Sequence, residues 1–485
     1  MSDTASLLVP VLRWDASHGF THLRDAIDDA LDLGVGGFLI HGGPRETVST
    51  LAADLHHRSK LPLLLAADVE RGAGQQFDGC IGLPPLAALG FINDPDSIRR
   101  AARITARELK HLGLNWALAP VCDLDVDPGS AIVGTRAIGS DPAIAASLLT
   151  EWVDACQAEG VLACAKHFPG HGLAADDSHR TLPTVHARAT QLWHDDLLPF
   201  RAALDAGVAS MMTAHVAYPS LDATGAPATL SAPILTALLR KEMEFGGLIV
   251  SDALEMDGLL TAGAETDVAV RAIAAGCDLL LAPMDVAAVA SALEQALQRG
   301  ALSSDRVRDA FARRAQWAHW GKPAEARETT MDDMMWARQA ADRSITLLRG
   351  RIPTIGSAVE VILVDDDASG PWHAPSRNHF TELLRKLELD APIVDQPTTN
   401  TRVPVVIAAY ADVVAWKGSA GFSDASVAQV ERALEAAHAQ RRDSLIVLFS
   451  HPRHAAQFPA ATNVLCTWGG ERPMQEAAAR TLVRT

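Results

Sequence analysis

Residues 161–172 read Val161-Leu162-Ala163-Cys164-Ala165-Lys166-His167-Phe168-Pro169-Gly170-His171-Gly172, an apolar run that ends in charged residues and a Pro-Gly turn. The run from Val161 to Ala165 is typical of a buried strand, and Pro169-Gly170 marks a turn into a polar loop. A second run, Gly247 to Val250, ends in the same way at Ser251-Asp252-Ala253-Leu254-Glu255-Met256. Two buried strands that each end in charged side chains are typical of the active face of a parallel α/β barrel.

Short apolar runs of this kind recur through the first 285 residues, separated by stretches with helical spacing. The runs are Leu7–Leu12, Gly37–Ile40, Leu61–Ala67, Asn115–Val121, Val161–Ala165, Ala209–Thr213, Gly247–Val250 and Cys277–Ala282. The helical stretches include Thr21–Leu33, Ser97–Leu112, Ala145–Glu159, Leu192–Ala206 and Ala232–Met243. Eight strand-then-helix units predict an α/β fold, specifically a (β/α)8 TIM-type barrel.

The chain of 485 residues is too long for one ordinary core, so we expect a second domain after the barrel. We predict a catalytic barrel over residues 1–320, a linker and connecting helix over 321–343, and a smaller C-terminal α/β sandwich over 344–485. Strand-like runs in the last part are Ile345–Leu348, Val359–Val364, Val405–Ala409, Leu445–Phe449 and Asn463–Thr467. Helical patterns at Phe380–Leu387 and Ser426–Ala437 lie between them.

The composition excludes several classes of protein. The formal net charge is −17 and no Lys/Arg cluster is visible, which argues against a nucleic-acid partner. No apolar stretch is long enough for a membrane span, and the N-terminal residues lack the basic region of a secretory signal. Six cysteines without CxxC spacing are typical of reduced core thiols. We therefore expect a cytoplasmic protein; its oligomeric state is left open by the sequence.

Polar side chains follow most of the predicted strands. They are His41, Asp68, Glu70, Asp123, Lys166, His167, His215 and Asp252. The strand C-termini of a parallel barrel open on one face, so these groups are expected to converge on one pocket although they are distant in sequence.

Asp252 and two residues of the loop after Lys166 and His167 fit the cleavage of a glycosidic bond, which needs a nucleophile and a proton donor. Asp252 is the candidate nucleophile, although an acid after a strand can also simply cap the next helix. His179 is the candidate general acid/base, with Asp177 placed to orient its ring. An Asp-Ser-His segment is often only a surface turn, but here it lies in the Gly-rich loop that follows Lys166 and His167.

The remaining polar residues suggest sugar binding rather than metal binding. Lys166, His167 and Asp68 can hydrogen-bond sugar hydroxyls, although Lys166 can also form a structural ion pair and His167 can be a core histidine. A metal ion held by histidines and Asp252 is the competing interpretation. Since there is no HExxH and no His-x-His at the first strand, we predict neither a metal nor another cofactor.

The whole chain resembles the family 3 glycoside hydrolases, and especially their β-N-acetylglucosaminidase branch. The resemblance rests on the segments 166–172, Asp177-Ser178-His179 and 251–254, with looser matches at Asp68-Val69-Glu70, 119–123 and 133–136. It implies a two-domain, retaining enzyme in which Asp252 forms a covalent glycosyl-enzyme. It also implies that His179, oriented by Asp177, is the acid/base, in place of the glutamate that related β-glucosidases take from their second domain.

The same resemblance implies substrate contacts at Asp68, Arg136, Lys166 and His167, with His215 as a further contact. The implied partner is a small carbohydrate, such as a peptidoglycan fragment or a chito-oligosaccharide. The chain departs from the family at Glu70-Arg71-Gly72-Ala73, where the family has Glu-Gly-Gly-Arg, and at Gln76, where an arginine is frequent.

Several alternatives to this function stay open. A β-glucosidase, a β-xylosidase or a β-N-acetylglucosaminide phosphorylase can be built on the same scaffold. A metal-dependent barrel hydrolase and a non-catalytic sugar-binding barrel are the alternatives from other classes.

Overall fold

The computed structural model describes residues 4–174, 181–320, 327–367, 376–399, 401–413 and 417–484. The chain divides into two units. The first comprises Met1–Ile81, Asp94–Asp127 and Gly139–Thr330, and the second comprises Gly82–Asn93, Pro128–Ile138 and Met331–Thr485.

The strands of the described residues, in chain order, are β1 (Leu8–Val9), β2 (Val11–Arg13), β3 (Gly37–His41), β4 (Leu64–Ala67), β5 (Trp116–Ala117), β6 (Cys164–Phe168), β7 (Ser210–Thr213), β8 (Leu248–Ala253), β9 (Leu279–Leu281), β10 (Thr346–Arg349), β11 (Glu360–Asp365), β12 (Val405–Ala411), β13 (Ser444–Ser450) and β14 (Val464–Cys466). Strands β1 to β9 belong to the first unit and β10 to β14 to the second.

The helices of the described residues are α1 (Arg24–Leu33), α2 (Arg45–Arg58), α3 (Leu86–Ile92), α4 (Pro95–His111), α5 (Pro142–Ala158), α6 (Ala189–His194), α7 (Leu198–Asp205), α8 (Asp257–Leu260), α9 (Glu265–Ala275), α10 (Val286–Gln298), α11 (Ser304–Trp320), α12 (Met331–Ser344), α13 (His379–Lys386), α14 (Asp424–Ala439) and α15 (Arg472–Val483). A π-helical segment spans Pro233–Glu242, and short 3-10 helices lie at Ala5–Leu7, Thr21–Leu23, Ala73–Gln75, Gly134–Arg136, Ala228–Leu230 and Pro452–Gln457.

All strand pairs of the first unit are parallel, in two sheets with the orders β1-β9-β8-β7-β6 and β2-β3-β4-β5. Only Pro10 separates β1 from β2, because proline has no N–H to give to a ladder. At the other edge of the second sheet, an isolated parallel bridge joins Trp116 of β5 to Leu162, which lies two residues before β6 of the first sheet. The predicted mixed α/β barrel architecture is confirmed, although the strands are not joined into one continuous closed sheet.

The two sheets enclose one apolar interior. A single core cluster contains buried side chains from both sheets, including Leu39, Leu64, Cys164, Val250 and Leu279. The indole of Trp116, at the end of one sheet, donates a hydrogen bond of 2.9 Å to the hydroxyl of Ser210 in the other. Because the strands pair in parallel within each sheet and the two sheets share this interior, the C-terminal ends of the strands lie at one face.

Helix starts follow local capping chemistry. The carboxylate of Asp141 accepts hydrogen bonds of 2.9 Å from the N–H groups of Ala143 and Ile144 at the start of α5, and Pro142 occupies the first turn. The predicted helix Leu192–Ala206 is instead two helices, α6 and α7, with Pro199 in the first turn of the second.

The strands that carry Lys166, His167 and Asp252 end later in the chain than predicted. Residues Lys166 and His167 lie inside β6 rather than after it, and Asp252 lies inside β8. Pairing with β7 extends β6 to Phe168, and pairing with β9 extends β8 to Ala253. The functional side chains are consequently carried by the strands themselves, a more rigid support than a loop.

The second unit contains one five-stranded sheet of order β10-β14-β13-β12-β11, parallel except for β10. Its two faces carry separate apolar cores, because alternate residues of a strand point to opposite sides. Ile407 of β12 packs in a cluster with Val430 of α14, whereas Val406 packs in a cluster with Phe380 of α13 and Leu482 of α15. The predicted α/β sandwich is confirmed.

A buried ion cluster holds the amino-terminal end of the strands in the first unit. The carboxylate of Asp278, just before β9, lies 2.6 Å from guanidinium nitrogens of both Arg240 and Arg306 and 3.4 Å from Arg313. It also accepts a hydrogen bond of 3.0 Å from the N–H of Ile249. One fully buried carboxylate thus ties β8 to two helical segments.

We expect Asp278→Ala to lower the free energy of unfolding by about 3–5 kcal/mol, because it leaves three partly buried guanidinium groups without their counter-ion. Urea unfolding measures this change. Asp305→Ala, which removes the exposed partner of Arg308, is the control and should leave stability unchanged. Equal stability of the two variants would contradict the structural role of Asp278.

Candidate active site

The candidate site lies at the C-terminal ends of the strands in the first unit. Lys166 and His167 are near the end of β6, Asp252 is near the end of β8, and Asp68 directly follows β4. The parallel strands bring these groups to the same end of the unit, as the sequence predicts.

The ammonium of Lys166 is held between two carboxylates. Its Nζ lies 2.7 Å from Oδ1 of Asp68 and 2.7 Å from Oε1 of Glu70, although the lysine side chain is only 2% exposed. His41, the last residue of β3, places its Nε2 3.4 Å from Oδ2 of Asp68. These contacts compensate the charge of the buried Lys166 ammonium. The side chain of Asp68 is still about a quarter exposed, so it can contact a ligand.

The charge of Asp68 is stabilised by its neighbours. Burial by itself raises the pKa of the Asp68 carboxyl, but the ammonium of Lys166 and the hydrogen bond from His41 outweigh burial and hold that pKa well below its usual range. Asp68 therefore presents a permanent anion, which can only accept hydrogen bonds from sugar hydroxyls.

His167 lies between two carboxylates. Its Nδ1 is 2.6 Å from Oδ2 of Asp123, and its Nε2 is 3.9 Å from Oδ2 of Asp252. Burial raises the pKa of Asp123, but the imidazole of His167 outweighs burial and, with the N–H of His171, keeps that pKa below its usual value. The buried Asp123 is therefore ionised, and His167 donates from Nδ1 towards it.

Asp252 is the most accessible of the carboxylates around His167. Its Oδ1 accepts a hydrogen bond of 2.8 Å from the N–H of Ala253, and its side chain is 20% exposed, against 1% for Asp123. A partly exposed carboxylate that is held by the main chain of a strand and lies near an imidazole has the properties of a nucleophile.

His215 follows β7 and is fully buried. Its Nδ1 lies 2.7 Å from the hydroxyl of Thr229, and its Nε2 lies 3.1 Å from the carbonyl oxygen of Ala253. Because both ring nitrogens have protein partners, the ring braces the end of β8 next to Asp252.

The remaining predicted site residues are Arg136, Asp177 and His179. Arg136 belongs to the second unit, in the 3-10 helix Gly134–Arg136, and one of its guanidinium nitrogens donates to the carbonyl of Ile132 at 2.8 Å. Asp177 and His179, the predicted acid/base pair, lie outside the described residues. Among the residues that the structure describes, no group of three or more His, Cys, Asp or Glu side chains is arranged to hold a metal ion.

A further ion pair that the sequence did not predict joins β2 to the segment after β8. Arg13, the last residue of β2, contacts Glu255 shortly after β8, and both side chains are about one third exposed. Each residue lies next to an apolar run that predicts a strand. Because the two residues are 242 positions apart, no local pattern predicts that they pair.

Known proteins are similar to this chain over much of its length. Residues 25–316 match the family described as "Glycosyl hydrolase family 3 N terminal domain". The chain is similar to a "Beta-N-acetylglucosaminidase/beta-glucosidase" of Cellulomonas fimi, with 31% identity over 361 residues, which is 70% of this chain and 64% of that relative. It therefore spans less than two thirds of that relative. A "Beta-hexosaminidase" of Nitrosomonas eutropha is 37% identical over 257 residues, covering 51% of this chain and 73% of the relative.

A solved structure extends the similarity to nearly the full chain. A glycoside hydrolase family 3 beta-N-acetylglucosaminidase from Paenibacillus sp. str. FPU-7 superposes with a TM-score of 0.87 at 26% identity. The superposition covers 99% of this chain and 96% of that one. It includes both the barrel part and the C-terminal sheet.

The ion network around Lys166 generates a pH-dependent prediction. Lys166→Met leaves Asp68 and Glu70 side by side, and we expect the free energy of unfolding at pH 7 to fall by about 3 kcal/mol, the lower end for a buried pair because Asp68 is partly exposed. Since the folded-state pKa of Asp68 is lowered, its contribution is present above the unfolded pKa of about 3.9 and is lost as pH falls through the lowered value.

The deficit of Lys166→Met should therefore be smaller at pH 4 than at pH 7, because protonation relieves the unpaired carboxylates of the variant. Urea unfolding at both pH values measures it, with the exposed Lys60→Met as control. A deficit of equal size at both pH values would show that Lys166 stabilises the fold by packing alone.

Proposed function

The chain belongs to glycosyl hydrolase family 3, and we propose that it is a retaining β-N-acetylglucosaminidase. Its proposed substrates are peptidoglycan fragments or chito-oligosaccharides with a terminal β-linked N-acetylglucosamine. The observation that carries the proposal is the partly exposed Asp252 carboxylate beside His167, Lys166 and Asp68. The Asp177-Ser178-His179 segment supports the choice of an acetamido sugar, through the resemblance to the β-N-acetylglucosaminidase branch.

The proposed reaction has two steps. In the first, a carboxylate oxygen of Asp252 attacks the anomeric carbon while the glycosidic C–O bond breaks, and protonated His179 gives its proton to the departing oxygen. In the second, neutral His179 takes a proton from water, the water oxygen attacks the anomeric carbon, and Asp252 leaves as a carboxylate. Two inversions return the original anomeric configuration.

The remaining residues of the proposed site position the sugar. The permanent anion of Asp68 accepts from sugar hydroxyls, while Lys166 supplies a donor and His167 a further hydrogen-bonding group close to the same end of the strands. Arg136 is a further proposed contact, on the basis of the family resemblance. Binding groups that are already paired with one another need little reorganisation when the substrate arrives.

We further propose that the protein works in the cytoplasm. All six cysteines are unpaired, and five of them are buried, as expected of thiols in a reducing compartment. No helix within the described ranges is both long enough and apolar enough to cross a membrane.

The direct test is release of p-nitrophenol from its β-N-acetylglucosaminide and β-glucoside. We expect a preference for the acetamido sugar and a loss of about three orders of magnitude or more in kcat for Asp252→Asn and His179→Ala, because each removes a group used in both steps. Asp257→Asn, at an exposed carboxylate five positions after Asp252, is the matched control and should keep wild-type activity. A preference for the glucoside would contradict the proposed substrate. Full activity of Asp252→Asn would contradict the assignment of Asp252 as the nucleophile.

The fate of the intermediate is tested separately. A 5-fluoro derivative of N-acetylglucosaminyl fluoride slows both steps, and we expect mass spectrometry to find one sugar bound to the peptide that contains Asp252. Turnover without any trapped adduct would favour attack by the substrate's own acetamido group. The rate with p-nitrophenyl substrate should not depend on phosphate, and a sugar 1-phosphate product would instead indicate a phosphorylase.

A further inference from the structure

The buried carboxylate of Asp123 accepts three hydrogen bonds from one short segment. Oδ1 accepts from the main-chain N–H groups of His167 and His171, at 3.1 and 2.6 Å, and Oδ2 accepts from Nδ1 of His167 at 2.6 Å. Asp123 lies just after β5, and the segment begins at the end of β6. A single side chain therefore fixes both the backbone and the imidazole of this segment.

The acceptor pattern decides the tautomer of His167. An ionised carboxylate cannot donate a hydrogen bond, so Nδ1 must carry the proton at the 2.6 Å contact. In the neutral ring, Nε2 is then an acceptor, and it is this atom that lies 3.9 Å from Oδ2 of Asp252. Asp123 thus determines which hydrogen-bonding group His167 presents beside the proposed nucleophile.

Other contacts further restrict the turn that follows β6. Gly170 has φ +123°, a conformation that other residues rarely adopt, and its carbonyl accepts from the hydroxyl of Tyr218 at 2.7 Å. An ideal Cβ on Gly172 would lie 2.2 Å from the carbonyl oxygen of Leu124. The backbone is therefore fixed from His167 to Gly172, immediately before the segment that carries Asp177 and His179.

We propose that Asp123 is a positioning residue of this site, which holds His167 in its Nδ1–H tautomer beside Asp252. The role rests on the proposed function, because it assigns Asp123 to the same reaction. Asp123 itself is buried behind His167, so it acts on the substrate through the imidazole.

The test uses a variant that keeps the shape of the side chain. In Asp123→Asn, the amide oxygen can still accept from the two main-chain N–H groups, but the amide nitrogen faces Nδ1 of His167. Nδ1 must then accept, and the proton moves to Nε2. We expect kcat/KM for p-nitrophenyl β-N-acetylglucosaminide to fall about 100-fold, the upper range for a lost supporting hydrogen bond.

Asp222→Asn is the matched control. Asp222 is also buried and also accepts three hydrogen bonds, from the N–H and hydroxyl of Thr224 at 3.0 and 2.7 Å and from the hydroxyl of Ser231 at 2.6 Å. This variant should lose comparable thermal stability but keep the wild-type kcat/KM. A kcat/KM for Asp123→Asn within twofold of the control would overturn the proposal.

A spectroscopic measurement tests the tautomer of His167 in the wild-type chain itself. In ¹⁵N-histidine-labelled protein, with His167 assigned by the signal lost in His167→Gln, Nδ1 of His167 is expected to be protonated. A protonated Nε2 with a bare Nδ1 would overturn the proposal. Wild-type protein without glycosidase activity would overturn the proposed function and this role together, whereas an active wild type with an unaffected Asp123→Asn overturns the role alone.

Discussion

The ammonium of Lys166 is a buried charge on which the arrangement of the first unit depends. A buried ion is tolerated only when it is paired and hydrogen-bonded, and both partners of Lys166, Asp68 and Glu70, come from the segment after β4. The pairing joins the ends of β4 and β6, which belong to different sheets. Asp123 makes a second such link, from the segment after β5 to β6. Main-chain hydrogen bonds join the same two segments, for example from the N–H of Cys164 to the carbonyl of Ala119 at 2.8 Å, so charge pairing reinforces a connection that the backbone also makes.

The sequence was sufficient to predict the elements but not the pairing of charges between them. Every apolar run that we predicted as a barrel strand contains or overlaps a strand, because a strand buried on both faces is a nearly continuous apolar run. The strand ends were misplaced at Lys166 and Asp252, because pairing with β7 and β9 extends those strands through charged residues. Lys166 and Asp68 are 98 positions apart, and a local pattern contains no information about such a contact.

The grouping of segments also depends on long-range contacts. The stretches Gly82–Asn93 and Pro128–Ile138 cluster with residues after Met331, although they lie between strands of the first unit in sequence. Their local composition resembles that of other connecting segments, so nothing in it indicates this association. Arg136 is in one of these stretches, and its proposed role in substrate binding came from the family resemblance rather than from its own pattern.

The carboxylates of the site differ in the exposure of their side chains, and the two groups have different chemical properties. The side chains of Glu70 and Asp123 are at most 6% exposed and are paired with a cation or with N–H donors, so they serve to orient their neighbours. The Asp252 side chain is 20% exposed, and its Oδ2 lies 3.9 Å from Nε2 of His167. Its Oδ1 accepts a hydrogen bond of 2.8 Å from the N–H of Ala253, so the carboxylate is held by the main chain of β8 while part of it stays accessible to a ligand. Buried, paired carboxylates around a partly exposed one preorganise the site, because they fix its neighbours before a ligand arrives.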